Sequence, residues 1–300
     1  MAFSLAHFSD VHLGPLPKGS TFAHFSAKRF VGAQSWHFNR KKIHQPAIAL
    51  ALVEDIKANH PDHVAFTGDV VNIAALAEFR AAAAWIKNIG PADWVSYVPG
   101  NHDAYVAVPW DKSLGLFEEY MSSDMRQEHH FPYVRLRRNI ALIGVNGATP
   151  QSWTRAGGEV GLAQRQRLAE KLKSLRERGF YRAVMIHHPP APGLAHPLRS
   201  SSDARELKEI LEREGADLVI HGHNHTQTLD WLESKHGPVP IVGVPSASMV
   251  DDGIHQAGSW NKYEIYRAKG KWQTLVSIRQ WQGKEKSFKT VSEFELANTP

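Results

Sequence analysis

The chain has 300 residues, enough to bury a full core in one large α/β domain or two smaller ones. Its 42% hydrophobic and 22% charged content is ordinary for a globular protein, and the lack of cysteine excludes disulfides and thiolate metal sites. A net charge of +5 suits anionic partners without naming one.

The first apolar run, Ser4–Ser9, reads as a strand and delivers Asp10-Val11-His12. Met1–Leu5 has neither a basic start nor an apolar stretch of export length, and no later run approaches membrane-spanning length, so the cytoplasm is the expected location. Gly14-Pro15-Leu16-Pro17 must be loop. It opens an excursion over residues 14–45 in which Lys18, Lys28, Arg29, Arg40, Lys41 and Lys42 interleave with Phe22, Phe25, Phe30, Trp36 and Phe38, with no acidic residue between Val11 and Val53. The plainer account is aromatics packed on the body with solvated basic groups. The sharper one is a surface that contacts phosphate, a base or an anionic lipid head group.

Ile48, Leu52, Val53 and Ile56 recur at helical spacing, which predicts a helix over residues 46–58. A buried strand follows, Val64-Ala65-Phe66, and Gly68 turns the chain sharply to present Asp69. A helix marked by Leu76, Phe79, Ala83 and Ile86 leads to the run Trp94–Pro99 and then Gly100-Asn101-His102-Asp103. Strand, helix, strand, helix, strand is the pattern of parallel pairing with crossover helices.

A short helix over Leu114–Tyr120 and a polar loop to His130 precede a strand, Asn139–Val145, that ends at Asn146. Residues 147–161 read as a long loop carrying Trp153 and Arg155, either a substrate wall or simple surface. Two amphipathic helices, marked by Leu168, Leu172 and Leu175 and by Leu207, Ile210 and Leu211, flank the run Ala183–Ile186, which delivers His187-His188-Pro189. The run Asp217–Ile220 delivers His221-Gly222-His223-Asn224-His225. Beyond it, Val239–Val244, Lys262–Tyr266 and Trp272–Ile278 read as antiparallel strands with Gly-containing turns. Two sheets face to face, flanked by helices, are expected in one domain over residues 1–282. Residues 283–300 read as a polar, weakly ordered tail.

Five apolar runs thus end on Asp, Asn or His, at the strand edges where α/β sheets present their chemistry. Two neighbouring divalent cations repel each other and need an anion between them, a role for which Asp69 can give one oxygen to each. Asp10, His12, Asn101, His187, His223 and His225 supply further oxygen and nitrogen donors. Such a set without sulfur suits Fe, Mn or Zn. Asp10 and His12 straddle Val11, and His223 and His225 straddle Asn224, so each pair converges if the chain bends there.

These motifs, Asp10-Val11-His12, Gly68-Asp69-Val70-Val71-Asn72, Gly100-Asn101-His102-Asp103, His187-His188-Pro189 and Gly222-His223-Asn224-His225, resemble in kind and order those of calcineurin-like metallophosphoesterases. The resemblance implies an α/β fold, a four-layer α/β/β/α sandwich of two mixed sheets flanked by helices, with the later strands in the second sheet. It implies two divalent or mixed-valence metal ions (Fe, Mn or Zn). Asp10, His12 and His225 would bind one, Asn101, His187 and His223 the other, and Asp69 would bridge. A metal-bound hydroxide would attack phosphorus in line. His102 would bind the phosphoryl group or protonate the leaving alkoxide. Asp103 would orient His102 or cap a helix. Family members commonly show His, any residue, then Pro, which makes His187 the ligand and leaves His188 to line the substrate side or to pack.

Asn72 and Asp103 resemble the cyclic-nucleotide (class III) and glycerol phosphodiesterases within the family, and Asn72 would hydrogen-bond the substrate phosphate. Residues 104–112 lack the arginine that accompanies the motif in protein serine/threonine phosphatases. A small phosphodiester is the expected partner. The alternative is a nucleotide-lipid pyrophosphatase, of the UDP-diacylglucosamine type, working at a membrane surface through residues 14–45. No extended basic stripe or DNA-binding module points to nucleic acid. With every ligand position filled, a non-enzymatic scaffold ranks lowest.

Overall fold

The computed structural model describes residues 2–17, 26–124 and 131–296. In chain order the first elements are β1 (Phe3–Phe8), α1 (Ala27–Ser35), a π-helical turn (Trp36–Arg40), α2 (Lys41–Ile43), α3 (Pro46–Ala58), β2 (His63–Phe66), α4 (Leu76–Ile89) and β3 (Val95–Tyr97). Two 3-10 segments follow, Trp110–Lys112 and Leu114–Met121, then β4 (Tyr133–Arg137), β5 (Ile140–Gly144), α5 (Leu162–Glu177), β6 (Tyr181–Met185), α6 (Ala204–Glu214) and β7 (Leu218–His221). The chain closes with β8 (Thr228–Leu232), β9 (Val239–Gly243), β10 (Ser259–Ala268), β11 (Lys271–Gln282) and β12 (Ser287–Leu296).

The strands form two six-stranded mixed sheets, ordered β12-β11-β10-β1-β2-β3 and β4-β5-β6-β7-β9-β8. Side-chain alternation explains how they stack, because successive residues of a strand face opposite ways. In β6, Tyr181, Ala183 and Met185 join the core shared with the first sheet, while Val184 packs with Leu168, Leu172 and Leu175 of α5 and Leu207 and Ile210 of α6. β7 divides likewise, Leu218 and Ile220 against Val219. On the outer face of the first sheet, α3 buries Ile48, Leu52, Val53 and Ile56, and α4 buries Phe79, Ala82 and Ile86. The result is the four-layer α/β/β/α sandwich. Burying each such Leu, Ile or Phe contributes on the order of 1.5–3 kcal/mol, so the layers hold by apolar area.

The strands that carry the motifs are parallel within their sheets, β1 with β2 and β2 with β3 in one, β6 with β7 in the other. Their C-terminal ends therefore lie along one edge of the sandwich.

Several expectations need correction. The later strands do not build a second sheet of their own. β10 pairs antiparallel with β1 and carries β11 and β12 onto the first sheet, while β9 runs parallel to β7. Residues 287–296 are a strand and not a loose tail. As an edge strand, β12 is mostly exposed, needs only Phe288 and Leu296 in the core, and so reads as polar. The excursion contains helix over Ala27–Ser35 and Lys41–Ile43. Its Lys18, Phe22 and Phe25, the end of the polar loop at residues 125–130, and residues 297–300 lie outside the described residues.

Candidate metal centre

The seven expected donors meet at the common edge. Asp10 and Asp69 follow neighbouring parallel strands, locked by Asp10 N–H to the Gly68 carbonyl at 2.9 Å and His12 N–H to the Asp69 carbonyl at 2.9 Å. Within the second sheet Gly222 N–H donates to the His187 carbonyl at 3.1 Å, and His187 reaches across to the first through Nδ1–H to the Thr67 carbonyl at 2.6 Å.

The bends the sequence required are left-handed. Asp10, His12, Asp69, His223 and His225 have φ of 57°, 44°, 57°, 68° and 56°. This region is disfavoured for residues with a Cβ, and in it one chain turns two alternate side chains toward one point. Glycine makes room beside them, since a Cβ on Gly222 would overlap Ser9 Oγ and Asp10 Oδ2, and one on Gly100 would overlap Asp69 Oδ1.

Each carboxylate spends one oxygen on the backbone and aims the other inward. Asp10 Oδ2 accepts His223 N–H at 2.9 Å, and Asp69 Oδ1 accepts His102 N–H at 2.7 Å. Asp69 Oδ2 lies between the two sides, 3.9 Å from His12 Nε2 and 3.4 Å from His187 Nε2, where it would serve both ions. On the first side, His225 Nε2 lies 3.1 Å from Asp10 Oδ1 and 3.3 Å from His12 Nε2. On the second, Asn101 Oδ1 lies 3.2 Å from His187 Nε2 and 2.9 Å from His223 Nδ1.

These separations suit shells around two ions, because donors about 2.1 Å from one ion stand roughly 3.0–3.4 Å apart at neighbouring corners. Charge agrees. Burial alone would raise the Asp10 carboxyl, yet His225 and His187 hold it well below the carboxylate range. Asp69, despite burial, is likewise held low by His187 and His102. Burial would lower His187, but Asp69 and Asp10 lift its imidazole to about 10. With Nδ1 donating to Thr67, the neutral ring would turn a lone pair toward the acceptors Asp69 Oδ2 and Asn101 Oδ1. Positive charge reconciles these atoms, either a proton on His187 Nε2 or a metal ion in its place.

The remaining predicted residues sit around this centre in other roles. His102 Nδ1–H donates to the Asn72 carbonyl at 2.6 Å, which leaves Nε2 to accept from Arg40 Nη2 at 2.8 Å. Burial, then the Arg40 charge, pushes the His102 imidazole down to about 4. Asn72 is fully buried; its Nδ2 donates to the Leu13 carbonyl at 3.0 Å, its Oδ1 has no partner among the described residues, and its backbone carbonyl holds His102. Asp103 neither orients His102 nor caps a helix. It accepts the N–H groups of Asp69, Val70, Val71 and Gly100 and the Tyr97 hydroxyl, pinning the loop that carries Asp69. His188 is buried with Nε2 3.3 Å from the Ala156 carbonyl, a contact that ties down the loop over 147–161.

Arg40, which the sequence offered only as one cation in a basic run with no motif to mark it, lies against the ring of His102. It borders a cavity of about 200 Å³ beside Asn101 and His102, lined also by Lys28, Tyr105, Trp153 and Arg155. A larger cavity of about 510 Å³, around Trp110, Phe131 and Arg167, holds none of the seven donors.

Residues 3–227 match the calcineurin-like phosphoesterase family, more than half of the chain, and the chain belongs to that family. It is 22% identical over 247 residues to a probable cyclic nucleotide phosphodiesterase of Pseudoalteromonas, covering 82% of this chain and 78% of the relative. Among solved structures it resembles a dimetal phosphatase from Danio rerio, with 12% identity, a TM-score of 0.69 and 99% of each chain covered. It also resembles the purple acid phosphatase PPD1 from yellow lupin seeds, at 12% identity and a TM-score of 0.61, covering 98% of this chain and 53% of that one. The family implies a hydrolase, and the His/Asp clusters fit the dinuclear centre of the fold.

Proposed function

We propose that the protein is a dinuclear-metal phosphodiesterase acting on a small diester of the cyclic-nucleotide or glycerophosphodiester kind. The observation that carries this reading is the donor set around Asp69 Oδ2 opening onto a cationic cavity of about 200 Å³. That volume is small beside ligand pockets of roughly 300–1,000 Å³, which favours a compact substrate. The relation to a probable cyclic nucleotide phosphodiesterase supports it.

Asp10, His12, Asp69 and His225 would hold one ion, and Asp69, Asn101, His187 and His223 the other. The donor types suit Fe, Mn or Zn. When bound, such a pair supplies Lewis acidity toward the phosphoryl oxygens and an acidified water. Arg40 meets the charge of the diester. His102 holds the guanidinium in place through Nε2, and Asn72 and Leu13 hold His102. Trp153, 61% exposed on the opposite wall, offers an apolar face to the ester group.

The test is hydrolysis of an artificial aryl phosphodiester by protein loaded with Mn, Fe or Zn, followed by a panel of mono- and diesters. Turnover of diesters that chelator abolishes is expected. Absence of turnover in protein holding two ions would sink the enzyme reading and leave a binding scaffold.

A second reading follows from one feature. Phe30, Val31 and Phe38 are 47%, 54% and 63% exposed, on the same excursion as Lys41 and Lys42. Such a surface suits the membrane-facing nucleotide-lipid pyrophosphatase. No helix among the described residues is long and apolar enough to cross a membrane, so contact would be peripheral. Phe38→Ser with Lys41→Glu should lower turnover of micellar nucleotide lipid and spare a soluble diester if this reading holds.

A further inference from the structure

The geometry points to His44 as a further protein ligand of the ion held by Asp10, His12, Asp69 and His225, an inference that rests on the dinuclear reading above. His44 belongs to no metal motif in the chain and comes from the turn between α2 and α3. It is 4% exposed. The backbone fixes it tightly: His44 N–H donates to the Arg40 carbonyl at 2.8 Å, Gln45 N–H to the Ser248 carbonyl at 2.8 Å, and Val250 N–H to the Ile43 carbonyl at 2.9 Å.

Its tautomer follows from its neighbours. Ser246 Oγ donates its one hydrogen to the Asp10 carbonyl at 2.6 Å, so toward His44 Nδ1, 3.2 Å away, it can only accept. His44 Nδ1 therefore carries the proton and shares it with Ser248 Oγ at 2.9 Å. Nε2 is left with a lone pair and no hydrogen-bond partner among the described residues. The ring stands 4.6 Å from that of His12, inclined 60°, and 5.6 Å from that of His225, inclined 86°. Nitrogens of the three rings lie within 4.8 Å of one another. Opposite corners of a shell with bonds of about 2.1 Å are roughly 4.2 Å apart, so a small inward shift brings all three onto one ion.

A histidine kept only for packing would have no reason to turn its lone pair toward two other imidazoles. A ring nitrogen left without a protein partner beside two other imidazoles is accounted for when a cation fills the gap. Hydroxyls that fix Nδ1–H and free Nε2 are what an outer shell does for a ligating imidazole. A third nitrogen also biases this ion toward Fe or Zn and away from Mg or Ca.

The experiment is a titration of chelator-stripped protein with Co²⁺, reading bound ions per chain by elemental analysis and coordination by the visible spectrum. Wild type should take up two ions. His44→Ala should keep one at wild-type affinity and bind the other at least roughly tenfold more weakly, with an altered spectrum for that ion. Ser248→Ala, which leaves His44 in place but loosens its ring, should weaken the same ion by less. Thermal melting in chelator tells whether either variant has lost its fold, and Ser248→Ala decides if His44→Ala has. Wild-type affinity for both ions and an unchanged spectrum in folded variants would overturn the inference. Wild type that cannot hold two ions would overturn the dinuclear reading itself and this ligand with it.

Discussion

At the scale of residues, the left-handed backbone at Asp10, His12, Asp69, His223 and His225 is strain retained for what the side chains do there. Asn tolerates this region better than most residues. His225→Asn should therefore leave the melting temperature in chelator unchanged or higher, by up to about 1 kcal/mol in stability, while weakening one bound ion. A lower melting temperature in chelator would mean that the conformation is not strained. Arg40 gives a second expectation. Arg40→Ala should lower kcat/KM for a diester by on the order of 10²-fold, as loss of a charge-stabilising donor does, with two ions still bound. Lys at this position should restore little, since it lacks the planar fork that spans the His102 edge. The seven candidate donors were legible because they cluster within a few residues of the ends of five apolar runs, in motifs that resemble those of one family. Arg40 was not, because what distinguishes it is the ring of His102, 62 residues away. Asp103 departs from the expectation that it orients His102 or caps a helix, because its carboxylate satisfies buried backbone groups of the Asp69 loop, which no local pattern reveals.

At the scale of elements, periodicity was a good guide wherever a helix covers a sheet. α3, α4, α5 and α6 stand where the recurring Leu, Ile and Phe placed them. Leu172→Ala should destabilise the protein by about 2–5 kcal/mol, measured by denaturant unfolding, because Leu172 is fully buried between α5 and the second sheet. The start of α4 rests on one carboxylate. Glu78 accepts the N–H groups of Asn72, Ile73 and Ala75, and Arg29 donates to the Ile73 and Ala74 carbonyls beside it. Glu78→Ala should cost about 3 kcal/mol and loosen His102, which leans on Asn72; Glu78→Gln should cost less, since its amide oxygen still accepts. Strand β12 escaped the sequence reading because it is an edge strand that buries only Phe288 and Leu296.

At the scale of the whole molecule, donors come from both sheets, Asp10, His12, Asp69 and Asn101 from one and His187, His223 and His225 from the other. Bound ions therefore couple the two halves. Chelation should lower the melting temperature, and adding Mn or Zn back should raise it with concentration, as ligation of the native state requires. A melting curve indifferent to both would count against a centre shared between sheets. The mixed order of the first sheet was beyond the sequence, because nothing local to β10 says that it will lie beside β1 and not beside β9.

The amide of His223 that closes on Asp10 Oδ2 joins positions 213 residues apart. During synthesis the opening strand must wait, its two ligands exposed, until almost everything through His225 has left the ribosome. A metal delivered early meets at most Asp10, His12, His44, Asp69 and Asn101, without His187, His223 and His225, so a fragment ending before His187 should hold an ion more weakly than the full chain. Metallation of this chain is then a late event, coupled to completion of the polypeptide.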